Sequence, residues 1–136
     1  MENTNILMLL IPKAQVDYLY SDFTIRQALE KMNAHGFNTI PVINKETGVY
    51  ERSITYGDFL SYILKNRTDF DEFEKLSLKD VESNRNIKAV SSTKDISDLV
   101  STILEQNYVP VVDDKNVFIG IVTRKKVMSS YLNIDK

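Results

Sequence analysis

The stretch Val117-Phe118-Ile119-Gly120-Ile121-Val122-Thr123-Arg124-Lys125-Lys126 reads as a buried strand that runs directly into a helix with a basic first turn. All of its first seven residues except Thr123 are apolar or glycine, and β-branched side chains dominate, as suits a strand covered on both faces. Thr123 is placed to cap the helix through its side-chain oxygen. Three cations follow, although a helix N-terminus carries partial positive charge and disfavours them. That cost is explained if an anion sits among those amides and basic side chains. An earlier stretch, Arg52-Ser53-Ile54-Thr55-Tyr56-Gly57-Asp58, has the same strand–Thr–helix plan, with a carboxylate at the place of Lys126.

The bulk composition narrows the classes. At 136 residues, 43% hydrophobic and 26% charged, the chain suits one compact domain or two half-domains sharing a core. A net charge of −2 argues against general nucleic-acid or membrane-surface binding and makes the local basic turn stand out. There is no cysteine, hence no disulfide framework and no thiolate chemistry, which fits a cytoplasmic protein. The apolar run from Ile6 to Ile11 ends at Pro12 and is too short to span a bilayer, so it is expected to form a short N-terminal helix, with no membrane insertion.

Past Pro12, Gln15 to Tyr20 have extended character. Thr24 and Gln27 form a capping-box pattern ahead of a helix whose Ile25, Ala28, Leu29 and Met32 share one face. Gly36 stands where a left-handed residue ends such a helix. Phe37 to Ile43 read as a strand, which Pro41 should confine to an edge or to its first residues. Asn44 to Gly48 supply a turn, Val49 to Thr55 return as a strand, and Tyr56 to Lys65 form a second helix. From Asn66 to Asn86 the composition turns polar. Phe70, Phe73, Leu76, Leu78 and Val81 are spaced for short docked helical pieces, and the acidic run Asp69 to Glu74 reads as a solvated face.

The second half repeats the first. Ile25, Ala28, Leu29 and Met32 recur as Ile96, Leu99, Val100 and Ile103, Pro41 recurs as Pro110, and Thr55 as Thr123. Each copy reads strand–helix–strand–strand–helix. Neither buries both faces of its sheet alone, so the two are expected to pack about a pseudo-twofold axis. The expected division is 1–12 as the N-terminal helix, 13–66 as the first repeat, 67–86 as a connector and 87–136 as the second repeat.

This doubled pattern, with Ile/Val-Pro-Val and a hairpin ending in Ile-Val-Thr, resembles a tandem pair of cystathionine-β-synthase-type (CBS) domains, an α/β (α+β) Bateman module. Tyr108-Val109-Pro110-Val111-Val112, the Phe118 to Lys125 stretch, and Asp58 within Ile54-Thr55-Tyr56-Gly57-Asp58 are similar to one branch of them. That branch comprises the small stand-alone proteins of Gram-positive bacteria that bind cyclic di-AMP. The resemblance implies a nucleotide cleft between the repeats. Asp58 would accept from ribose hydroxyls, and Thr55 would bond a phosphate or the ribose. Backbone around Val16, Asp17, Asn38 and Thr39 would read the adenine edge, and Phe37 would pack on the base. Arg124 would reach a phosphate with its planar fork, with Lys13 or Lys125 adding charge. Pro41 and Thr123 complete the implied set. Lys126 replaces the ribose-binding Asp in the second copy, so one competent site per chain is expected.

The implied function is a regulatory sensor without catalysis, in which an adenine nucleotide (cyclic di-AMP first, AMP, ADP or ATP as alternatives) changes how a homodimer presents itself to an unidentified target protein. A ligand-free dimerisation module is the third reading. No cofactor, metal or nucleic-acid partner is expected. Enzymatic chemistry lacks a nucleophile with an adjacent base, a metal-ligand cluster and a glycine-rich phosphate loop, since the chain has four glycines and one histidine. Plain alternatives stand beside these roles. Thr55-x-x-Asp58 is also a simple capping pattern, Arg124-Lys125-Lys126 reads also as solvated surface or as cations paired with acids of the connector, Phe37 and Tyr108 equally as core aromatics, and His35 as structural.

Overall fold

The computed structural model describes residues 4–36 and 38–132. In chain order the elements are β1 (Ile11–Pro12), β2 (Leu19–Tyr20), α1 (Ile25–His35), β3 (Thr39–Ile43), β4 (Tyr50–Thr55), α2 (Tyr56–Asn66), β5 (Val90–Ser91), α3 (Val100–Glu105), β6 (Tyr108–Val112), β7 (Phe118–Thr123) and α4 (Arg124–Leu132). The backbone divides into two compact units, Asp17–Asn86 and a second that joins Met1–Val16 to Ile87–Lys136.

In the unit of Asp17–Asn86 the sheet order is β2-β3-β4, with β2 parallel and β4 antiparallel to β3. Helix α1 starts at the Thr24–Gln27 capping box and stops at Gly36, whose φ of 68° is the left-handed turn that glycine adopts without a Cβ penalty. Its apolar face buries Ile25, Ala28 and Met32 against Leu19, Ile40, Val42, Ile54 and Phe59. The polar stretch after α2 is not a detached tether. Its Phe73, Leu78 and Val81 enter this same core. Leu76 O accepts from Ile25 N, and Leu78 N donates to Phe23 O (both 2.9 Å). The acidic run lies outside, with Asp69, Asp71, Glu72 and Glu74 exposed and Glu74 ion-paired to Arg26.

In the second unit the order is β1-β7-β6-β5, with β5 parallel and β7 antiparallel to β6. Ile6, Ile96, Leu99, Ile103, Val109, Val111, Val122 and Val127 form its core. The short N-terminal helix expected in the apolar run is present as a 3₁₀ helix, Ile6–Leu9, capped by Asn5, and it is followed by β1, which pairs with β7. Pro12 ends any helix early, and a free edge of β7 offers the carbonyls and amides that an isolated turn lacks. One expectation needs correction. The proline strand is not at an edge, because β3 lies between β2 and β4. Pro41 is tolerated there because β2 pairs only with Val42 and Ile43, leaving no β2 carbonyl opposite the missing N–H. Pro110 repeats the arrangement, with β5 reaching only Val111 and Val112.

The repeats diverge at one register position. Gly120 of β7 faces Pro12 of β1, and a Cβ on Gly120 would stand 2.2 Å from Ile11 O. The corresponding residue of β4 is Arg52. Its guanidinium donates to the carbonyls of Leu78 (3.0 Å) and Val81 and to Ser83 Oγ (3.0 Å). Where one sheet gains a strand through a missing side chain, the other fastens the equivalent segment by a long one.

Candidate functional site

Each unit presents the end of a β-hairpin that turns into a helix, and the predicted residues divide between them. In the Asp17–Asn86 unit, Thr55 is the N-cap of α2, and its Oγ1 accepts from Asp58 N (3.1 Å). Asp58 answers with Oδ2, which accepts from Thr55 N (2.8 Å). The strand register places Thr39 opposite Thr55, and Tyr56 N donates to Asn38 O (3.3 Å). Asn38, Thr39, Thr55 and Asp58 are therefore neighbours at one helix start. Asn38 is exposed and Thr39 half-buried, while Pro41 is buried further along the strand. Asp17 is half-buried, with its carboxylate 3.4 Å from His35 Nδ1. Phe37 lies outside the described residues.

Asp58 is only 3% exposed, and its second oxygen is also engaged. Oδ1 accepts from the backbone amide of Asn84 (2.9 Å). Beside it runs a polar cleft of about 400 Å³ between one face of α2, including Ser61, Tyr62 and Lys65, and the connector residues Asp80, Glu82 and Asn84. No group of His, Cys, Asp or Glu among the described residues is arranged to hold a metal ion.

The matching helix start in the second unit has the same backbone plan. Thr123 Oγ1 accepts from Lys126 N (3.1 Å), and Arg124 N donates to Asn107 O (2.9 Å), as Tyr56 N does to Asn38 O. Arg124 turns its side chain back to the end of α3, donating from Nε to Ile103 O (2.8 Å) and from Nη2 to Leu104 O (3.3 Å). A guanidinium suits a helix C-terminus, whose carbonyls carry partial negative charge. It has five N–H donors, so these two bonds leave others to point elsewhere. Lys125 and Lys126 are exposed, Lys13 sits half-buried in the 3₁₀ turn Lys13–Gln15, and Val16 is half-buried just after it.

Four contributors escaped the sequence reading. Asn84 and Ser83 were only part of a polar connector. Buried Gln106 binds Lys88 N through Oε1 (3.1 Å) and Tyr108 O through Nε2 (3.1 Å), fixing the backbone ahead of β5 against the start of β6. The signal that could have found Arg52 was its place, a lone cation in a strand where the other repeat has glycine. Burial holds its guanidinium below the usual range, although the charges of Asp58 and Glu51 oppose the shift.

On the same strand, burial pushes the Tyr50 phenol up to about 12 despite its bond to Ser53 Oγ (2.8 Å). An unfolded tyrosine releases its proton near 10.0, so Tyr50 contributes stability that is complete below that value and is lost as pH rises toward 12. Urea unfolding across that interval should show a fall of roughly 2 kcal/mol more for the natural chain than for Tyr50→Phe. Parallel curves for the two proteins would contradict it.

Two sheet-and-helix repeats, each with a Thr-capped helix leading from its hairpin, define the class. The CBS domain pattern matches residues 11–65 and again 78–133, and the chain belongs to the CBS domain family. Its fold is similar to that of CbpB in complex with c-di-AMP, at 23% identity and a TM-score of 0.87 over 96% of this chain and 86% of that one. It is similar to CbpB of Listeria monocytogenes, also in complex with c-di-AMP, at 23% identity and 0.83 over 96% and 97%. CBSX2 in complex with AMP matches at 19% identity and 0.74 over 98% and 99%. A curated relative, an uncharacterised protein of Methanocaldococcus jannaschii, is 26% identical over 127 residues. That match takes in 85% of this chain but only 45% of the relative's length. No described helix is long and apolar enough to cross a membrane.

Proposed function

We propose that the chain is a non-catalytic sensor that binds an adenine nucleotide, cyclic di-AMP before AMP, ADP or ATP, in a cleft between its two CBS repeats. The observation that carries this reading is the unequal pair of helix starts. One holds a buried carboxylate beneath its capping threonine, and the other holds a guanidinium and two exposed lysines. A nucleotide has both matching parts, sugar hydroxyls for the acceptor and phosphates for the cations. The relatives solved with c-di-AMP and with AMP support the ligand class. Asn38 and Thr39, together with Val16 and Asp17, supply backbone groups for the adenine edge, and Phe37 a stacking face.

Calorimetric titration with cyclic di-AMP, AMP and ATP tests the ligand. Cyclic di-AMP binding no more tightly than AMP would sink the first choice and favour a mononucleotide sensor, the reading that Asp58 supports best. Arg124→Ala should weaken every phosphate-bearing ligand by roughly 1.5–3 kcal/mol. Unchanged affinities across the set would take Arg124 out of the site. Nucleotide turnover lost in Asp58→Ala would make the protein an enzyme instead.

The sensor acts as a homodimer that modulates a cytoplasmic target protein. Support for self-association comes from apolar side chains left outside at matching places in both repeats, Leu60 and Leu64 on α2 and Met128 and Leu132 on α4, each more than half exposed. Sedimentation equilibrium showing a monomer at the concentrations used for binding would remove this part.

A further inference from the structure

The polar cleft beside Asp58 carries an excess of negative charge. Three carboxylates line it, Asp58 from α2 and Asp80 and Glu82 from the connector, against a single cation, Lys65. Asp80 and Glu82 are exposed, and neither they nor Lys65 is ion-paired among the described residues. The two connector acids stand on a fastened stretch of chain. Leu78 and Val81 bury their side chains in the core of this unit, and Arg52 grips Leu78 O, Val81 O and Ser83 Oγ. Ser83 Oγ in turn donates to Ser53 O (3.0 Å). Positions 78, 81 and 83 are therefore tied to the body of the unit, and the acids at 80 and 82, set among them, line the cleft.

We propose that Asp80 and Glu82 set the selectivity of the nucleotide site: they keep phosphate away from the sugar edge that Asp58 takes. Nucleotides with free ribose hydroxyls at that edge are favoured over those with a 2′- or 3′-phosphate. The inference rests on the nucleotide reading above and names the form of ligand it admits. A ribose hydroxyl is a neutral donor, and a carboxylate accepts from it. A phosphate monoester carries about −1.5 to −2 at pH 7 and meets the same carboxylates as a like charge. The repulsion weakens with distance and with access of water, so at these exposed acids it grades affinity without forbidding binding. Lys65 relieves part of it, as one cation against three carboxylates. A cyclic dinucleotide is the milder case. Its 3′-oxygen bears a diester of single charge, and its 2′-hydroxyl stays available to Asp58.

Calorimetric titration of the natural protein and of Asp80→Asn/Glu82→Gln with AMP and with adenosine 3′-monophosphate decides this. The natural protein should prefer AMP. The variant should bind the 3′-phosphate more tightly by roughly 5-fold, while its affinity for AMP changes by less than about 2-fold. Glu46→Gln/Asp71→Asn removes as much charge from exposed positions outside the cleft and should leave the ratio of the two affinities as it is. A natural protein indifferent to the position of the phosphate, an unchanged ratio in the cleft variant, or an equal shift in the control variant would overturn the assignment and leave the sensor reading intact. If cyclic di-AMP alone binds, the cleft variant should tighten it, and no tightening would overturn the assignment just as well. If none of the three binds the natural protein, the sensor reading fails first and takes this one with it.

Discussion

Replacing Gly120 with alanine lowers the unfolding free energy by about 3 kcal/mol, the upper range for forcing an extra carbon into a packed site. The backbone of β1 passes over Gly120 so closely that the new Cβ would meet Ile11 O at 2.2 Å and the Leu10 side chain at 2.9 Å. A backbone carbonyl cannot turn aside as a flexible side-chain end can. The φ of 154° adds strain, since L side chains rarely adopt it. The remedy open to the protein is to lift β1 off β7, which forfeits the pairs Ile11↔Ile121 and Pro12↔Gly120 and loosens the seat of buried Ile6. Urea unfolding measures the loss through the midpoint. A variant within about 0.5 kcal/mol of the natural protein, the range of ordinary surface changes, would show that the strand can bow without cost.

Asp58→Ala loses about 2–3 kcal/mol of stability and, in the sensor reading, the preference for hydroxyl-bearing nucleotides. Two backbone donors depend on that carboxylate, Thr55 N–H and Asn84 N–H. Leaving a buried donor without a partner costs roughly 1–3 kcal/mol. Removing the carboxylate also takes favourable negative charge from the first turn of α2. Asp58→Asn keeps an acceptor oxygen but only one, so it should fall between alanine and the natural residue. The pair of variants separates structure from recognition. A stability loss without any change in the ratio of AMP to dideoxy-AMP affinity would make Asp58 a structural cap and nothing more.

The local parts of the fold were legible because each is written in a few neighbouring residues. Thr24 with Gln27 marked one helix start and Thr55 with Asp58 another, Gly36 marked an end, and the hairpin strands announced themselves by β-branched runs. The doubling was legible from Pro41 and Pro110 and from Thr55 and Thr123. The destinations of the lead-in segments were not. That Ile11 and Pro12 add a strand after the short helix depends on the free edge of β7, more than a hundred residues away, and on one glycine that permits the approach. Pro41 misled for a related reason, since its tolerance in a middle strand depends on β2 being only two residues long. At the site, the cap residues could be read, but the Asn84 amide could not, because any residue except proline supplies the same N–H. Arg124 was chosen for its charge, and the carbonyls of Ile103 and Leu104 that hold it are set by where α3 happens to stop.

The interleaving of the units has a consequence for synthesis on the ribosome. The strand nearest the amino end has its antiparallel partner, β7, in the last tenth or so of the described sequence, and Ile6 waits for a core built from Ile96 onward. Residues 4–16 therefore emerge with no lodging, while Asp17–Asn86 can already condense around its own interior. A nascent chain halted after Asn86 would bear an apolar leader, Ile6 through Ile11, available to chaperones until translation finishes.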